Sequence, residues 1–297
     1  IIGWICFLIA TSTYILTLEP SVSFWDCGEF IASALKMQVV HQPGAPLFLM
    51  IQRFFAIFAM GDVTKVAYFM NVGSAIASGA TILFLFWTIT ALAKKVLVKK
   101  DEVISTANLI TIMGAGLVGA LAYAFSDSFW FSAVESEVYA LSSLATAVVF
   151  WAILKWEAIA DEPHADKWLL FIAYIMGLSI GIHILNLLTI PAIAFVYYFR
   201  KTDKPTTKGI FKTFGIGILI LAVVQYGIIQ YLVSFGAYFD LFFVNTLGLG
   251  FGTGVLFFII LLVTGLVLAI RYSIKQRKKI LNLALISTVL IIFGYGS

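Results

Sequence analysis

Charged side chains are scarce in this sequence. Of its 297 residues, 11% are charged and 62% are hydrophobic, and the mean hydropathy is +1.04. An ordinary soluble domain carries about 25% charged residues. The shortage of charge therefore excludes an ordinary soluble protein and a typical nucleic-acid-binding protein. It predicts an all-α, polytopic integral membrane protein.

Cysteines and nucleotide-binding motifs are also missing or few. Cys6 lies in an apolar run and Cys27 in a polar loop, so the two cysteines do not form a disulfide framework. The sequence contains no Walker A motif, no G-x-G-x-x-G before a helix, no H-E-x-x-H and no paired C-x-x-C. ATP hydrolysis, Rossmann-type chemistry and zinc proteolysis are therefore not expected of this chain.

Apolar runs of about 20 residues mark the segments that can cross a bilayer. Seven such runs lie at 1–18, 66–93, 103–125, 138–156, 213–233, 251–270 and 280–297. The run 168–199 is too long for one straight span, and it is broken at Gly177, Gly181 and His183. We interpret it as a hairpin of two short helices, so the sequence predicts about nine transmembrane helices.

The basic residues support this hairpin. With it, all but three of the 19 Lys and Arg residues fall on one side, which the positive-inside rule assigns to the cytoplasm. The exceptions are Lys36, Arg53 and Lys65. The topology also predicts outer loops at 126–137 and 234–250, which contain no Lys or Arg. If 168–199 crossed only once, the later basic loops would face outward and the bias would be lost. The predicted topology has a cytoplasmic N-terminus, and it leaves the short apolar segment 47–60 outside as an interfacial or re-entrant helix.

Asp26 and Glu29 are prominent in the first outer loop because acidic residues on that side are few. Their i, i+3 spacing places both on one face if the stretch is helical, between Trp25 and Phe30 at interfacial depth. A carboxylate at a low-dielectric boundary can serve as a base or a cation ligand. The alternative is an ordinary loop in which Asp26 caps a helix. His41, in a rigid H-Q-P-G-A-P segment, could donate to a phosphate, orient a carboxylate or simply be solvated.

Further candidates lie in the second outer loop and in the hairpin. Glu135 and Glu137 are at the mouth of a predicted span, and Tyr139 is four residues after Glu135. His183 interrupts the hairpin, and Asn186 follows it. An ionisable residue at membrane depth is a functional candidate. The alternatives are a solvated acidic loop and a histidine satisfied by a neighbouring helix.

Four segments in combination resemble a known family. They read S-F-W-D-C-G-E-F, H-Q-P-G-A-P-L-F, F-W-F-S-A-V-E-S-E-V-Y-A-L and G-L-S-I-G-I-H-I-L-N-L-L-T-I-P-A. Together they are similar to a bacterial family of polytopic membrane proteins, long classed only as a domain of unknown function. That family is in turn similar to the transmembrane protein 260 family of protein O-mannosyltransferases. The resemblance covers about 17–198.

The resemblance implies a GT-C glycosyltransferase fold with its active site on the non-cytoplasmic face, here the periplasmic face of a bacterial inner membrane. It implies a polyprenyl-phosphate sugar as donor, a protein Ser or Thr as acceptor, and membrane lipid as the remaining partner. No cofactor and no metal are expected, although the carboxylate pair leaves a divalent ion open. Family members are usually longer, so the chain 1–297 is expected to be a single transmembrane domain cut at both ends, without a soluble C-terminal portion.

The resemblance also assigns roles to residues. The catalytic acid of the first outer loop corresponds to Asp26 or Glu29, and we expect Asp26 to be the general base with Glu29 assisting. The residues expected to bind substrate are His41, Arg53, Glu135, Glu137, Tyr139, His183 and Asn186.

Two other classes of protein stay open. The first is a multi-span transporter that uses Asp26, Glu29, Glu135 and His183 as a substrate or proton path. The second is a non-enzymatic scaffold for envelope assembly or secretion. Transporters place their ionisable groups near the bilayer midplane, whereas these carboxylates cluster in predicted outer loops. That placement favours the enzyme.

Overall fold

Most of the described chain is helical. The computed structural model describes residues 1–42, 44–99 and 102–296, and within these ranges no β-strand is present. The helices are α1 (Ile2–Leu16), α2 (Cys27–Lys36), α3 (Pro46–Ala56), α4 (Val66–Leu97), α5 (Thr106–Ala124), α6 (Asp127–Ala133), α7 (Val138–Ala158), α8 (Lys167–Ile180), α9 (Ile190–Lys201), α10 (Thr207–Ala222), α11 (Val233–Asn245), α12 (Thr253–Lys275) and α13 (Lys279–Gly296). The all-α prediction is confirmed.

In the part of the chain that the structure describes, six helices are long and apolar enough to cross a membrane. They are Val63–Leu97, Thr106–Ala124, Val138–Ala158, Thr207–Asn245, Thr253–Lys275 and Lys279–Gly296. The other three predicted spans correspond to α1, α8 and α9, which have 15, 14 and 12 residues. These are shorter than the roughly 20 residues that a straight span requires. The six long helices support an integral membrane protein, and the count of nine spans stays a prediction.

Two local predictions agree with the structure. The run 168–199 is broken, because α8 ends at Ile180, a 3-10 helix occupies Ile184–Thr189, and α9 begins only at Ile190. The segment 47–60 forms the short helix α3, which continues as a 3-10 turn over Ile57–Ala59.

The prediction that 234–250 is a loop is wrong for most of that segment. A π-helix, Val223–Leu232, joins α10 to α11, and the helix continues to Asn245. The segment lacks Lys and Arg because it is an apolar helix rather than a loop. The carboxylate of Asp240 is its single charge, and it is buried. It accepts hydrogen bonds from the backbone N–H groups of Gly252 (3.2 Å) and Gly254 (3.0 Å), at the start of α12.

The chain forms two compact units. The first contains Ile1–Ala158 and Leu178–Asn186, and the second contains Ile159–Gly177 and Leu187–Gly296. In the first unit α4 is central and packs against α1, α3, α5 and α7. In the second unit the packed pairs are α9 with α10, α11 with α12, and α12 with α13. Every residue predicted to be functional belongs to the first unit.

An apolar core in the first unit supports the loops that carry the candidate residues. It includes Phe30 and Ile31 of α2, Phe48 of α3, Met70 of α4, and Ile182 in the break after α8. The aromatic rings of Phe30 and Phe48 meet edge to face, with centroids 5.1 Å apart. Because these side chains come from four separate segments, their packing holds α2, α3 and the break together.

The close approach of α1 to α4 positions the chain that leads into α2. A Cβ atom on Gly79 would lie 1.8 Å from Oγ1 of the buried Thr11. We therefore expect Gly79→Ala to lower the free energy of unfolding by about 1–3 kcal/mol, through overpacking. Gly114→Ala in α5 is the matched control, because a Cβ there meets nothing within 4 Å. It should stabilise by about 0.5–1 kcal/mol through helix propensity. Thermal unfolding in detergent compares them, and equal midpoints for Gly79→Ala and wild type would contradict this packing.

Candidate functional site

The chain presents Asp26 and Glu29 together because α2 is amphipathic. Its apolar side chains, among them Phe30 and Ile31, are buried, whereas Asp26 and Glu29 are exposed. Asp26 is the residue that precedes the helix, yet its side chain makes no capping hydrogen bond. The alternative in which Asp26 serves as a helix cap therefore finds no support in the geometry, and its carboxylate is available for other chemistry.

His41 returns to this end of α2 because the helix stops abruptly. Met37 adopts a left-handed conformation (φ 52°), and the N–H of Gln38 donates to the carbonyl of Ser33 at 2.8 Å, which closes the helix end. The chain then runs back alongside α2. The His41 ring packs near Phe30, with the ring centroids 5.7 Å apart.

Glu29 holds His41 by two hydrogen bonds. The backbone N–H of His41 donates to Oε1 of Glu29 at 2.7 Å, and Nδ1 of the ring lies 2.8 Å from Oε2. The other ring nitrogen, Nε2, lies 3.9 Å from Oδ2 of Asp26. Asp26, Glu29 and His41 thus form a carboxylate–histidine cluster. Of the roles predicted for His41, the orientation of a carboxylate is the one for which the structure shows contacts.

The cluster shifts the proton affinities of its members. The side-chain and backbone hydrogen bonds from His41 lower the pKa of Glu29, and the hydrogen bond to Glu29 raises the pKa of His41. The two shifts favour a charged Glu29 and a charged His41 around neutral pH. A positive ring is thereby held next to the Asp26 carboxylate.

The same three side chains offer donor atoms that a divalent ion could share. One nitrogen or oxygen from each lies within 4.8 Å of the others. Nδ1 of His41 is engaged by Glu29, so the atoms left facing one another are Nε2 and the Asp26 carboxylate. The expectation that no metal is required stays a prediction.

Glu135 and Glu137 lie buried rather than in a solvated loop. They are 3% and 6% exposed. Oε1 of Glu137 lies 3.8 Å from Sγ of the buried Cys27, and Oε2 accepts the backbone N–H of Val138 at 3.3 Å. Burial raises the pKa of both carboxyl groups, that of Glu137 to about 7. These residues form the buried wall behind the cluster, which the sequence alone did not indicate.

Tyr139 and His183 meet near the break after α8. Their ring centroids are 5.7 Å apart. Nδ1 of His183 accepts the N–H of Leu185 at 3.2 Å, which places the ring proton on Nε2. Burial lowers the pKa of His183 and so favours the neutral ring. His183 is thus a neutral hydrogen-bond donor, in contrast with His41.

Backbone contacts tie this break to the segment that carries His41. The N–H groups of Leu47 and Phe48, at the start of α3, donate to the carbonyl of Gly181 at 2.9 and 3.2 Å. A Cβ on Gly181 would lie 3.0 Å from Cβ of Leu47, so this close approach favours glycine. The His183 break therefore lies against the start of α3, which follows closely after His41 in the chain.

Asn186 stabilises the break internally. It is fully buried, its Nδ2 donates to Oγ of Ser179 at 3.0 Å, and its Oδ1 accepts from Oγ1 of Thr146 at 3.2 Å. Arg53 is not brought to the cluster by any contact. Among the described residues its guanidinium makes no hydrogen bond and no ion pair. The substrate-binding roles of both stay predictions.

A groove with a volume of about 580 Å³ opens between α4, α5 and α7. Tyr139 and Leu185 line it, so it begins next to the Tyr139–His183 contact. Its walls are mostly apolar, with hydroxyl groups from α7 such as those of Ser142 and Thr146. The signal for this groove in the sequence is the i, i+4 spacing of Ser142 and Thr146 on a predicted span.

Sequence reasoning also missed a buried asparagine. Asn71 of α4 is 1% exposed, and its Nδ2 donates to the carbonyls of Glu19 and Ser21 at 2.8 and 3.2 Å. These bonds anchor the loop between α1 and α2, and so they help to place Asp26. The signal in the sequence is an amide side chain in the run 66–93, which otherwise contains no Asn, Gln or charged residue.

Comparison with known proteins identifies the family of the chain. The model of the protein O-mannosyl-transferase TMEM260 N-terminal domain matches residues 26–206, more than half of the chain. All nine predicted site residues lie inside that match. The chain is 26% identical over 175 residues to the protein O-mannosyl-transferase TMEM260 of Mus musculus, which covers 59% of this chain and 22% of that protein. It is 24% identical over 145 residues to the protein O-mannosyl-transferase tmem260 of Dictyostelium discoideum, which covers 49% and 16%.

The matches cover only a small part of each relative. The matched region is at most 22% of the length of these curated relatives. No solved structure matches the chain.

Proposed function

Because the chain belongs to the family of the TMEM260 N-terminal domain, we propose that it is the membrane-embedded part of a glycosyltransferase. The sugar is mannose, in keeping with the names of the relatives, and the acceptor is a Ser or Thr hydroxyl of a protein. The donor is a polyprenyl-phosphate sugar. The proposal includes a GT-C fold with nine spans, in a bacterial inner membrane, with the carboxylate–histidine cluster on the periplasmic side.

The observation that carries the proposal is the environment of Asp26. Its carboxylate is exposed and makes no capping bond, and it lies 3.9 Å from a His41 ring that Glu29 holds in place. A general base needs this combination of accessibility and a fixed neighbour. In the proposed step the acceptor hydroxyl gives its proton to Asp26 while its oxygen bonds to the anomeric carbon. The bond from that carbon to the phosphate oxygen breaks, and its electron pair leaves with the lipid phosphate.

The leaving phosphate requires hydrogen-bond donors and positive charge. The charged ring of His41 supplies both beside Asp26, and Nε2–H of His183 is a neutral donor at the mouth of the groove. The groove itself, apolar along most of its length, suits the polyprenyl tail. Tyr139 lines the groove and contacts His183, which supports a role for it at the junction of tail and phosphate.

The test uses the full-length protein in proteoliposomes with a mannosyl polyprenyl phosphate. We expect transfer to a peptide that contains Ser and Thr, and none to the same peptide with Ala at those positions. A nucleotide sugar offered in place of the lipid donor should not react. If no lipid-linked sugar is transferred to any Ser or Thr peptide, the enzyme proposal is wrong. Uptake of solute into the same vesicles would then favour the transporter.

A further inference from the structure

Glu137 is a buried acid that the proposed reaction does not use. It is 6% exposed, and its oxygens face the thiol of Cys27 and the N–H of Val138. Cys27 is fully buried and is the first residue of α2, directly after Asp26. Glu137 therefore contacts Cys27, the first residue of α2, and Asp26 is the residue immediately before it.

Apart from His41, the titratable groups that interact with Glu137 are acidic. α2 contributes Cys27 and the adjacent Asp26, the preceding loop contributes Glu135, and the segment after α2 contributes His41. Glu135 in turn interacts with Glu19. Among the described residues no Lys or Arg forms an ion pair with Glu137. Among the described residues, His41 is thus the cationic group that interacts with Glu137.

Burial and neighbouring negative charge both favour the neutral form of a carboxyl group. They raise the pKa of Glu137 to about 7. The neutral acid suits a pocket that contains a thiol and a second buried carboxyl. The Cys27 thiol and the Val138 N–H both donate to Glu137 and oppose this rise in pKa, but burial outweighs them. An ionised Glu137 would place a negative field beside Asp26, where the donor phosphate has to approach.

We propose that Glu137 is a positioning residue for the proposed sugar transfer: its neutral form, in contact with the Cys27 thiol, holds Asp26 against His41, and its ionisation disables the site. The inference rests on the proposed function, because it concerns the same cluster. Cys27 and Glu137 are 110 positions apart in the chain. In this proposal their contact couples α2 to the residue that precedes α7.

The test compares the pH profiles of kcat for full-length wild type and Glu137→Gln with a mannosyl polyprenyl phosphate and a Ser/Thr peptide. Wild type should lose activity as pH rises through about 7, the pKa to which burial raises Glu137. Glu137→Gln cannot ionise, so its loss of rate at alkaline pH should be shallower than that of wild type and should follow the deprotonation of His41 alone, with KM for the donor little changed. Asp127→Asn, at an exposed carboxylate in α6, is the matched control and should keep the wild-type profile.

A second variant, Cys27→Ala, tests the same contact if Glu137→Gln does not fold. Cys27→Ala removes the contact but leaves Glu137 able to titrate, so kcat should fall about tenfold or more while the alkaline loss persists. A Glu137→Gln profile that matches wild type would overturn the inference, and so would an unchanged kcat in Cys27→Ala. Absence of transfer by wild type at every pH would instead refute the proposed function, so the two failures are distinguishable.

Discussion

Asp26→Asn in the full-length protein should lower kcat for sugar transfer by about 10²–10⁴-fold, the usual contribution of a general base. The substitution keeps the size of the side chain and removes its ability to take a proton. The fold should be unaffected, because the Asp26 side chain is exposed and makes no capping hydrogen bond. KM for the lipid donor should change little, since the groove residues are untouched.

The control for this prediction is Asp127→Asn, a second exposed carboxylate next to a helix start. It should transfer sugar at the wild-type rate. Equal rates for Asp26→Asn and wild type would refute the assignment of Asp26 as the base. Glu29 would then be the next candidate, although its hydrogen bonds to His41 make it a weaker one.

Glu29→Ala and His41→Ala should each lower kcat by up to about 10²-fold, because loss of their contact lets the ring or the carboxylate drift from its place beside Asp26. The double variant should be no worse than the poorer single one, since both substitutions remove one shared interaction. The measurement is a double-mutant cycle on kcat. Fully multiplicative losses would show that the two residues act independently, against the geometry.

The same contact has a defined pH window. The pKa of Glu29 is lowered and that of His41 is raised, so both are charged between the two values. The pair's contribution to stability is lost as pH falls through the lowered pKa of Glu29 and as pH rises through the raised pKa of His41. In Glu29→Ala the titration of His41, followed by NMR, should move back toward its ordinary range near 6.5.

Much of the fold could be predicted from the sequence because membrane helices depend on simple patterns. Run length located the six long helices, and the basic loops indicated the break in 168–199 that lies around His183. The pattern failed at 234–250. There a segment without Lys or Arg was interpreted as a loop, yet apolar side chains and the buried Asp240 make it helix to Asn245.

The candidate site was predictable only in part. The pairing of Asp26 with Glu29 followed from local spacing, and the rigid H-Q-P-G-A-P segment indicated His41. Contacts between distant residues, such as Cys27 with Glu137, depend on how α2 packs against the start of α7. No local pattern contains that packing. Arg53 shows the reverse case, because the sequence predicts that it binds substrate but among the described residues no contact brings it to the cluster.

The central claim, that the carboxylate–histidine cluster is the site of sugar transfer, is tested most directly by measuring donor binding and transfer side by side. Full-length wild type and Asp26→Asn would be reconstituted in vesicles with mannosyl polyprenyl phosphate and a Thr-containing peptide. The account predicts equal donor binding by both proteins and transfer by wild type alone. Transfer by Asp26→Asn at the wild-type rate, or donor binding without transfer by wild type, would contradict it.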